Sequence, residues 1–364
     1  MKVLFASGSM QGGGAERVVS LLANAFVGRG WKVAVLVVRG ESIYTLDEGV
    51  KLLRVYEESE ITTATSNKIF RRFNYVPKLI AKVRAAKPDV IIPVHGGGWN
   101  AMFVLIARLL GVKVIAAEHI SHTVGGFSFL RWAERHLVYC LADRVTVLTR
   151  FDFDHYRHFI RKLTLLPNPL SFRPLAELGM RVPVILAAGH LNRWSHKGFD
   201  NLLRVFAMVS PQHPEWRLEI AGSGEEGRGY LAQLAHELGV AERVHFLGFQ
   251  RNIERVMQRA SIFALSSRFE GFGMVLAEAM SQGCACVSFD CEAGPAEIIT
   301  DGVDGLLVPN QDNVAMAIAV ERLMVNGALR HRLALAGLDK AQNFSIEAIG
   351  QKWTVLFREM GLVT

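Results

Sequence analysis

The sequence predicts an α/β protein made of two doubly wound halves, on three observations. Short β-branched runs alternate with helix-period segments along almost all of the 364 residues. The runs are apolar nearly throughout rather than at every second position, which suits parallel strands covered on both faces. The alternation stops at a Pro-containing stretch and then starts again, and repeated strand–helix–strand order defines a doubly wound fold.

In the first half the strands are expected at 2–6, 32–38, 89–94, 113–117 and 144–149. Helices are expected between them at 15–28, 75–87, 100–110 and 129–141. The run Leu165-Leu166-Pro167-Asn168-Pro169 and the polar chain up to Pro183 read as a connector, because X-Pro steps favour extended backbone. The second half offers strands at 184–188, 217–221, 244–247, 261–265, 285–289 and 305–308, with helices at 199–209, 230–238 and 275–282. The tail from 313 to 360 is almost all helical. The domains are therefore placed at 1–167 and 168–345, with a last helix, 346–364, returning to the first.

Composition narrows the function classes. Half of the residues are apolar and 21% are charged, which excludes extended disorder. Four cysteines exclude a disulfide scaffold and fit a reducing cytosol. No apolar run approaches a membrane span, and the N-terminus lacks the apolar core of a signal peptide. The net charge is +7. Residues 61–88 hold seven basic residues (Lys68, Arg71, Arg72, Lys78, Lys82, Arg84 and Lys87) and no acid, so the other 336 carry 34 of each sign. Phe73, Val76, Ile80 and Val83 recur among them at helical spacing. Such a helix can lie on an anionic membrane surface, or can pack its apolar face on the sheet and merely solvate its charges. A second candidate for membrane contact is the group Phe127, Phe129, Leu130, Arg131 and Trp132. Basic residues are not dense enough elsewhere for a nucleic-acid partner.

Ligands of open parallel sheets bind at the C-terminal ends of the strands, so the chemistry is sought in the loops there. The first strand ends in Gly8-Ser9-Met10-Gln11-Gly12-Gly13-Gly14-Ala15-Glu16-Arg17. Gly13 and Gly14, before a helix, let backbone N–H groups approach an anion, or merely make a flexible turn. A more informative segment is Glu270-Gly271-Phe272-Gly273-Met274, with Glu278 eight positions after Glu270 inside the following helix. Phosphate is favoured at a helix N-terminus, and carboxylates accept well from paired sugar hydroxyls. A plainer role for Glu278, solvating a helix face, fits poorly with an otherwise apolar helix. The turn Gly189-His190-Leu191-Asn192-Arg193-Trp194-Ser195-His196-Lys197-Gly198 offers Arg193 and Lys197 as two cations for a diphosphate.

Together these segments resemble the GT-B glycosyltransferases, specifically the retaining glycosyltransferase family 4, rich in bacterial polysaccharide and lipid-linked glycan enzymes. The resemblance covers essentially the whole chain. It implies two Rossmann-like domains facing across a central cleft, the second binding a nucleotide diphosphate sugar, with a UDP sugar the first expectation. The Glu270 to Glu278 spacing is similar to the family's E-x7-E motif. By that resemblance Glu278 binds the ribose hydroxyls, Glu270 contacts the donor sugar, and the backbone of Gly271, Phe272, Gly273 and Met274 meets the phosphates. Arg193 and Lys197 neutralise the leaving diphosphate. The family's Arg often follows the strand-ending Gly directly, which here is His190; Arg193 is preferred, because a neutral histidine is a poor permanent counter-charge, and His190 stays open. Gly13 and Gly14 belong to the family's glycine loop over the diphosphate. His119, in Ala117-Glu118-His119, contacts the donor sugar, unless it is a structural histidine at a strand end. Asn168 matches the inter-domain N-P step, Gly222 a glycine turn near the nucleotide, and Phe249 the site of the base. Gly294-Pro295-Ala296-Glu297 resembles a turn that positions the donor loop.

The implied activity is a metal-independent hexosyl transfer to a hydroxyl of a saccharide acceptor, lipid-linked or of lipopolysaccharide type, at the inner face of the cell membrane. No cofactor is expected. Asp152-Phe153-Asp154 spells D-x-D but falls in a helix's first turn, where acids are common. Cys284, Cys286 and Cys291 read as buried hydrophobes, and the pairs His119/His122 and His155/His158 lack a third metal ligand. The alternatives are a GT-B nucleotide-sugar epimerase and a non-catalytic Rossmann-type nucleotide-binding protein.

Overall fold

Thirteen strands, all in parallel pairings, make two sheets among the described residues of the computed structural model. These residues are 1–56, 68–96, 98–123 and 128–364, with the side chains of 68–74 excluded. Calls that rest on the side chains of Lys68, Arg71, Arg72 and Phe73, or on Phe127, therefore lie outside them. The chain divides into one unit of Met1–Ser171 with Ile346–Thr364, and a second of Phe172–Ser345.

The first sheet contains β1 (Lys2–Ala6), β2 (Lys32–Val37), β3 (Val50–Arg54), β4 (Val90–His95), β5 (Lys113–Glu118), β6 (Arg144–Val147) and β7 (Leu163–Leu165). Its order is β3-β2-β1-β4-β5-β6-β7. The second contains β8 (Val182–Ala188), β9 (Arg217–Ala221), β10 (Val244–Gly248), β11 (Ala260–Leu265), β12 (Ala285–Asp290) and β13 (Leu306–Pro309), in the order β10-β9-β8-β11-β12-β13. In both, the chain winds outward one way from a central strand and then the other, so the doubly wound expectation holds. The central strands are buried along nearly their whole length, which is why their sequences are apolar without alternation.

The two edge strands β3 and β7 were not anticipated. They are short and mostly half-buried, so they lack the continuous apolar run that marks the interior strands. The helix Lys68–Ala86 begins seven residues before the expected start and carries Pro77 inside it. The segment expected as one helix over 129–141 is an α-turn Phe129–Ala133, a π-turn Glu134–Val138 and a 3₁₀ turn Tyr139–Leu141.

Each sheet has its own core. In the second unit, Phe199, Leu202 and Phe206 of the helix Phe199–Val209 are buried with Ile220 of β9 and Val287 of β12. In the first unit, the C-terminal helix Ile346–Glu359 packs on the helix Gly14–Val27 through an aromatic cluster. Phe26 lies 5.5 Å from Phe357 and 6.0 Å from Trp353 between ring centroids, and Trp31 lies 5.2 Å from Phe357. Among the described residues no helix is long and apolar enough to cross a membrane.

Candidate active site

In the second sheet the strand order reverses between β8 and β11, so the loops after these two strands flank the crevice where ligands of this fold bind. After β8 the chain forms the 3₁₀ turn Leu191–Arg193 and one helical turn, Trp194–Lys197. Gly198 closes it at φ +63°, and a Cβ there would lie 1.8 Å from the Ser266 carbonyl oxygen. Only glycine lets the two loops touch at this point. Ser266 Oγ donates to the Lys197 carbonyl at 3.1 Å. Arg268 N–H donates to the His196 carbonyl at 2.9 Å, and its guanidinium donates to both carboxylate oxygens of Asp200 at 2.8 Å.

This clamp sets the central contact. Lys197 Nζ lies 2.7 Å from Glu270 Oε1, and Ser267 Oγ donates to the same oxygen at 2.6 Å. Glu270 is thus held from two sides just before the helix Met274–Ser281. Gly273 caps that helix at φ +87°, and the helix carries Glu278 on its second turn, buried. Phe272 is buried against Phe344, and Gly294 approaches so closely that a Cβ there would lie 2.6 Å from the Phe272 carbonyl oxygen. Arg193 is exposed at the mouth of the β8 turn.

The neighbouring loops are tied in. Gly222, after β9, comes within 1.8 Å of the Gly189 carbonyl oxygen at the position a Cβ would take, and its N–H donates to the Gly248 carbonyl at 2.8 Å. Phe249, directly after β10, is 73% exposed. The structure thus places Lys197, Glu270, Gly271, Phe272, Gly273, Met274 and Glu278 in the two loops after β8 and β11 and the helix that follows, with Gly222 and Phe249 in the loops just after β9 and β10.

Gly13, Gly14, His119 and Asn168 belong to the first unit, whose strand order reverses between β1 and β4. The Glu16 carboxylate takes the Gly12 N–H at 2.6 Å and the Ser9 hydroxyl, while Gly13 exchanges two 2.9 Å bonds with the Tyr44 hydroxyl. These loop amides are held by the protein itself, just before the helix Gly14–Val27. Asn168 is buried. His119 N–H donates to the His95 carbonyl at 3.2 Å, and burial, with His95 beside it, pulls the His119 pKa down to about 3. The ring is neutral at pH 7.

His95, at the end of β4 and beside His119, was not singled out by the sequence reading. Its Nε2 accepts the Gly8 N–H at 3.0 Å, so its proton sits on Nδ1. The available signal was a strand end running into Gly96-Gly97-Gly98, the pattern also seen after β1. Glu118 was quoted only as His119's neighbour. It is buried, accepts from Tyr139 O–H at 2.7 Å and from Ile120 N–H at 3.2 Å, and burial raises its pKa to about 7 against the pull of the Tyr139 bond.

Asp152 and the three neighbouring cysteines have local partners or are buried. Asp152 accepts from His122 Nδ1 at 2.7 Å, His122 N at 2.9 Å and Ser121 Oγ at 3.0 Å, which holds its pKa low against the effect of burial. Cys284, Cys286 and Cys291 are buried, which pushes the thiols of Cys284 and Cys291 up to about 12. Among the described residues no three His, Cys, Asp or Glu side chains are placed to hold a metal ion.

Two doubly wound parallel sheets, one in each unit, fit the two-domain GT-B fold. Residues 176–339 match the family described as Glycosyl transferases group 1, and residues 12–171 match Glycosyltransferase Family 4. The chain belongs to the family 4 glycosyltransferases. It is 26% identical over 363 residues to an amylovoran biosynthesis glycosyltransferase of Erwinia amylovora, covering 96% of this chain and 97% of that one. It is 27% identical over 366 residues, 99% of both chains, to a Campylobacter jejuni α-1,4-N-acetyl-D-galactosaminyltransferase named for a saccharide on PP-undecaprenol. The structure of HepE from Anabaena, solved with UDP, superposes with a TM-score of 0.81 at 18% identity, over 99% of this chain and all of the other.

Proposed function

We propose that this glycosyltransferase moves a sugar from a UDP sugar to a hydroxyl of a saccharide acceptor, lipid-linked or of lipopolysaccharide type, with retention and without a metal. The observation that carries this reading is the Lys197–Glu270 pair at the start of the helix Met274–Ser281. A helix N-terminus favours anions, and a lysine 2.7 Å from a carboxylate can pass its charge to a diphosphate as that carboxylate turns to sugar hydroxyls. Negative charge grows on the departing diphosphate, so fixed donors aimed there supply the main stabilisation. In this reading those donors are Lys197, Arg193 and the N–H groups of 271–274. Buried Glu278 takes the ribose hydroxyls, and neutral His119 offers the donor sugar a hydrogen bond rather than a charge. The names of the Erwinia and Campylobacter relatives support an acceptor in surface-glycan synthesis, and the UDP in HepE supports the donor.

A thermal-shift screen across nucleotide diphosphate sugars tests the donor, with UDP sugars expected to raise the melting temperature. Proton NMR of the product, with and without EDTA, tests the rest. An inverted anomeric centre, or turnover lost on chelation, would overturn the corresponding part.

A further inference from the structure

We propose that His95 is a positioning residue for glycosyl transfer, whose ring holds the start of the glycine loop after β1 in the form the reaction needs. This rests on the glycosyltransferase reading and goes beyond it. Backbone pairing between β1 and β4 runs from Val3 opposite Val90 to Ala6 opposite Pro93. A proline has no N–H to give to a neighbouring strand. Two side chains beyond Pro93 complete the seam. The Trp99 indole N–H donates to the Ala6 carbonyl at 3.0 Å, and His95 Nε2 accepts the Gly8 N–H at 3.0 Å. The two rings meet edge to face, 6.4 Å apart between centroids. On its other side the Gly8 carbonyl accepts the Val38 N–H, just past β2, at 3.3 Å. The Gly8 peptide is therefore fixed from both neighbouring strands, and the His95 ring is its hold on β4.

His95 also joins two loops. Its carbonyl accepts the His119 N–H at 3.2 Å, so its main chain serves the turn after β5 while its ring serves the loop after β1. A substitution keeps the carbonyl and so tests the ring alone. Protonating the imidazole puts a hydrogen on Nε2 and removes the acceptor for Gly8. The titratable groups facing the ring are Glu16 from the helix Gly14–Val27, Glu118 opposite it in register on β5, and His119. Burial outweighs the pull of Glu16 and holds the His95 pKa below 6.5. The hold is thus complete above about pH 6.5 and is lost as pH falls through the folded value.

The test compares the wild type with two variants. His95→Gln has a side-chain carbonyl for the Gly8 N–H and does not titrate, and His95→Ala has no acceptor. Hydrogen exchange of the peptide 7–16, corrected for intrinsic chemical exchange, is followed from about pH 4.5 to 8. Release of UDP, from the UDP sugar that gives the largest thermal shift, is followed over the same range. At neutral pH, His95→Ala should exchange Gly8 about tenfold faster and lose kcat about tenfold with little change in KM, in keeping with one lost hydrogen bond. His95→Gln should recover most of both. In acid the wild type should decline towards His95→Ala, and His95→Gln should not. Wild-type exchange in His95→Ala, a His95→Gln no better than His95→Ala, an acid loss of loop protection that persists in His95→Gln, or UDP release equal in all three proteins would each overturn the proposal. If no UDP sugar stabilises the wild type, the donor reading fails instead, and the loop exchange still judges the role of the ring.

Discussion

Lys197 and Glu270 meet because Gly198 has no Cβ and Arg268 bridges to Asp200. The contact is therefore a product of packing as much as of the two residues. Lys197→Ala leaves Glu270 its bond from Ser267 and leaves the Arg268–Asp200 clamp in place, so the fold should persist. Removing one donor to the leaving group is expected to lower kcat by about 10²–10³. Near-wild-type turnover would refute its role. Glu118 and His119 are adjacent in sequence and opposite in their response to pH. The folded pKa of Glu118 is raised from 4.5 to about 7, so its stabilisation is complete below about pH 4.5 and is lost as pH rises through 7. His119 is lowered from 6.5 to about 3, so its contribution is present above about pH 6.5 and is lost as pH falls. Glu118→Gln keeps the neutral form at every pH. Relative to the wild type it should gain about 3 kcal/mol between pH 4.5 and 8, read from chemical denaturation at the two ends. A constant difference would show that the carboxyl is not buried as described.

At the scale of elements, the interior strands and most helices were legible because each obeys one simple period. What was not legible breaks a period. The edge strands β3 and β7 are too short and too exposed to show an apolar run. The Phe129–Leu141 segment has a helical pattern throughout, yet an inserted π-turn redirects Glu134 and Arg135. Helix-breaking Pro77 hid the first turns of Lys68–Ala86. The C-terminal helix shows how much one element depends on another. Phe357 is fully buried among Phe26, Trp31 and Trp353, all of its own unit. Phe357→Ala should cost about 3–5 kcal/mol, seen as a lower urea midpoint for the first unit. An unchanged midpoint would mean that the helix adds no stability to the sheet it covers.

Over the whole molecule the net charge of +7 has one address, 61–88, with the rest balanced. If the basic stretch meets an anionic surface, neutralising Lys78, Lys82 and Arg84 to Gln should remove most of the salt-sensitive binding to vesicles containing phosphatidylglycerol. The measurement is co-sedimentation across a sodium chloride series, and an unchanged salt slope would place the electrostatic contact elsewhere. By itself the sequence determined the doubly wound class and the family, and it pointed to the loops after the strands as the place to seek chemistry, because strand period, glycine placement and motif spacing are local properties. It could not show that Lys197 reaches Glu270 across 73 residues, or that the Gly8 N–H fixes the tautomer of His95, 87 residues away. Nor could it show that Glu118 lies buried under Tyr139. Partners, protonation and burial are set by groups far apart in the chain, and only the folded packing decides which of them meet.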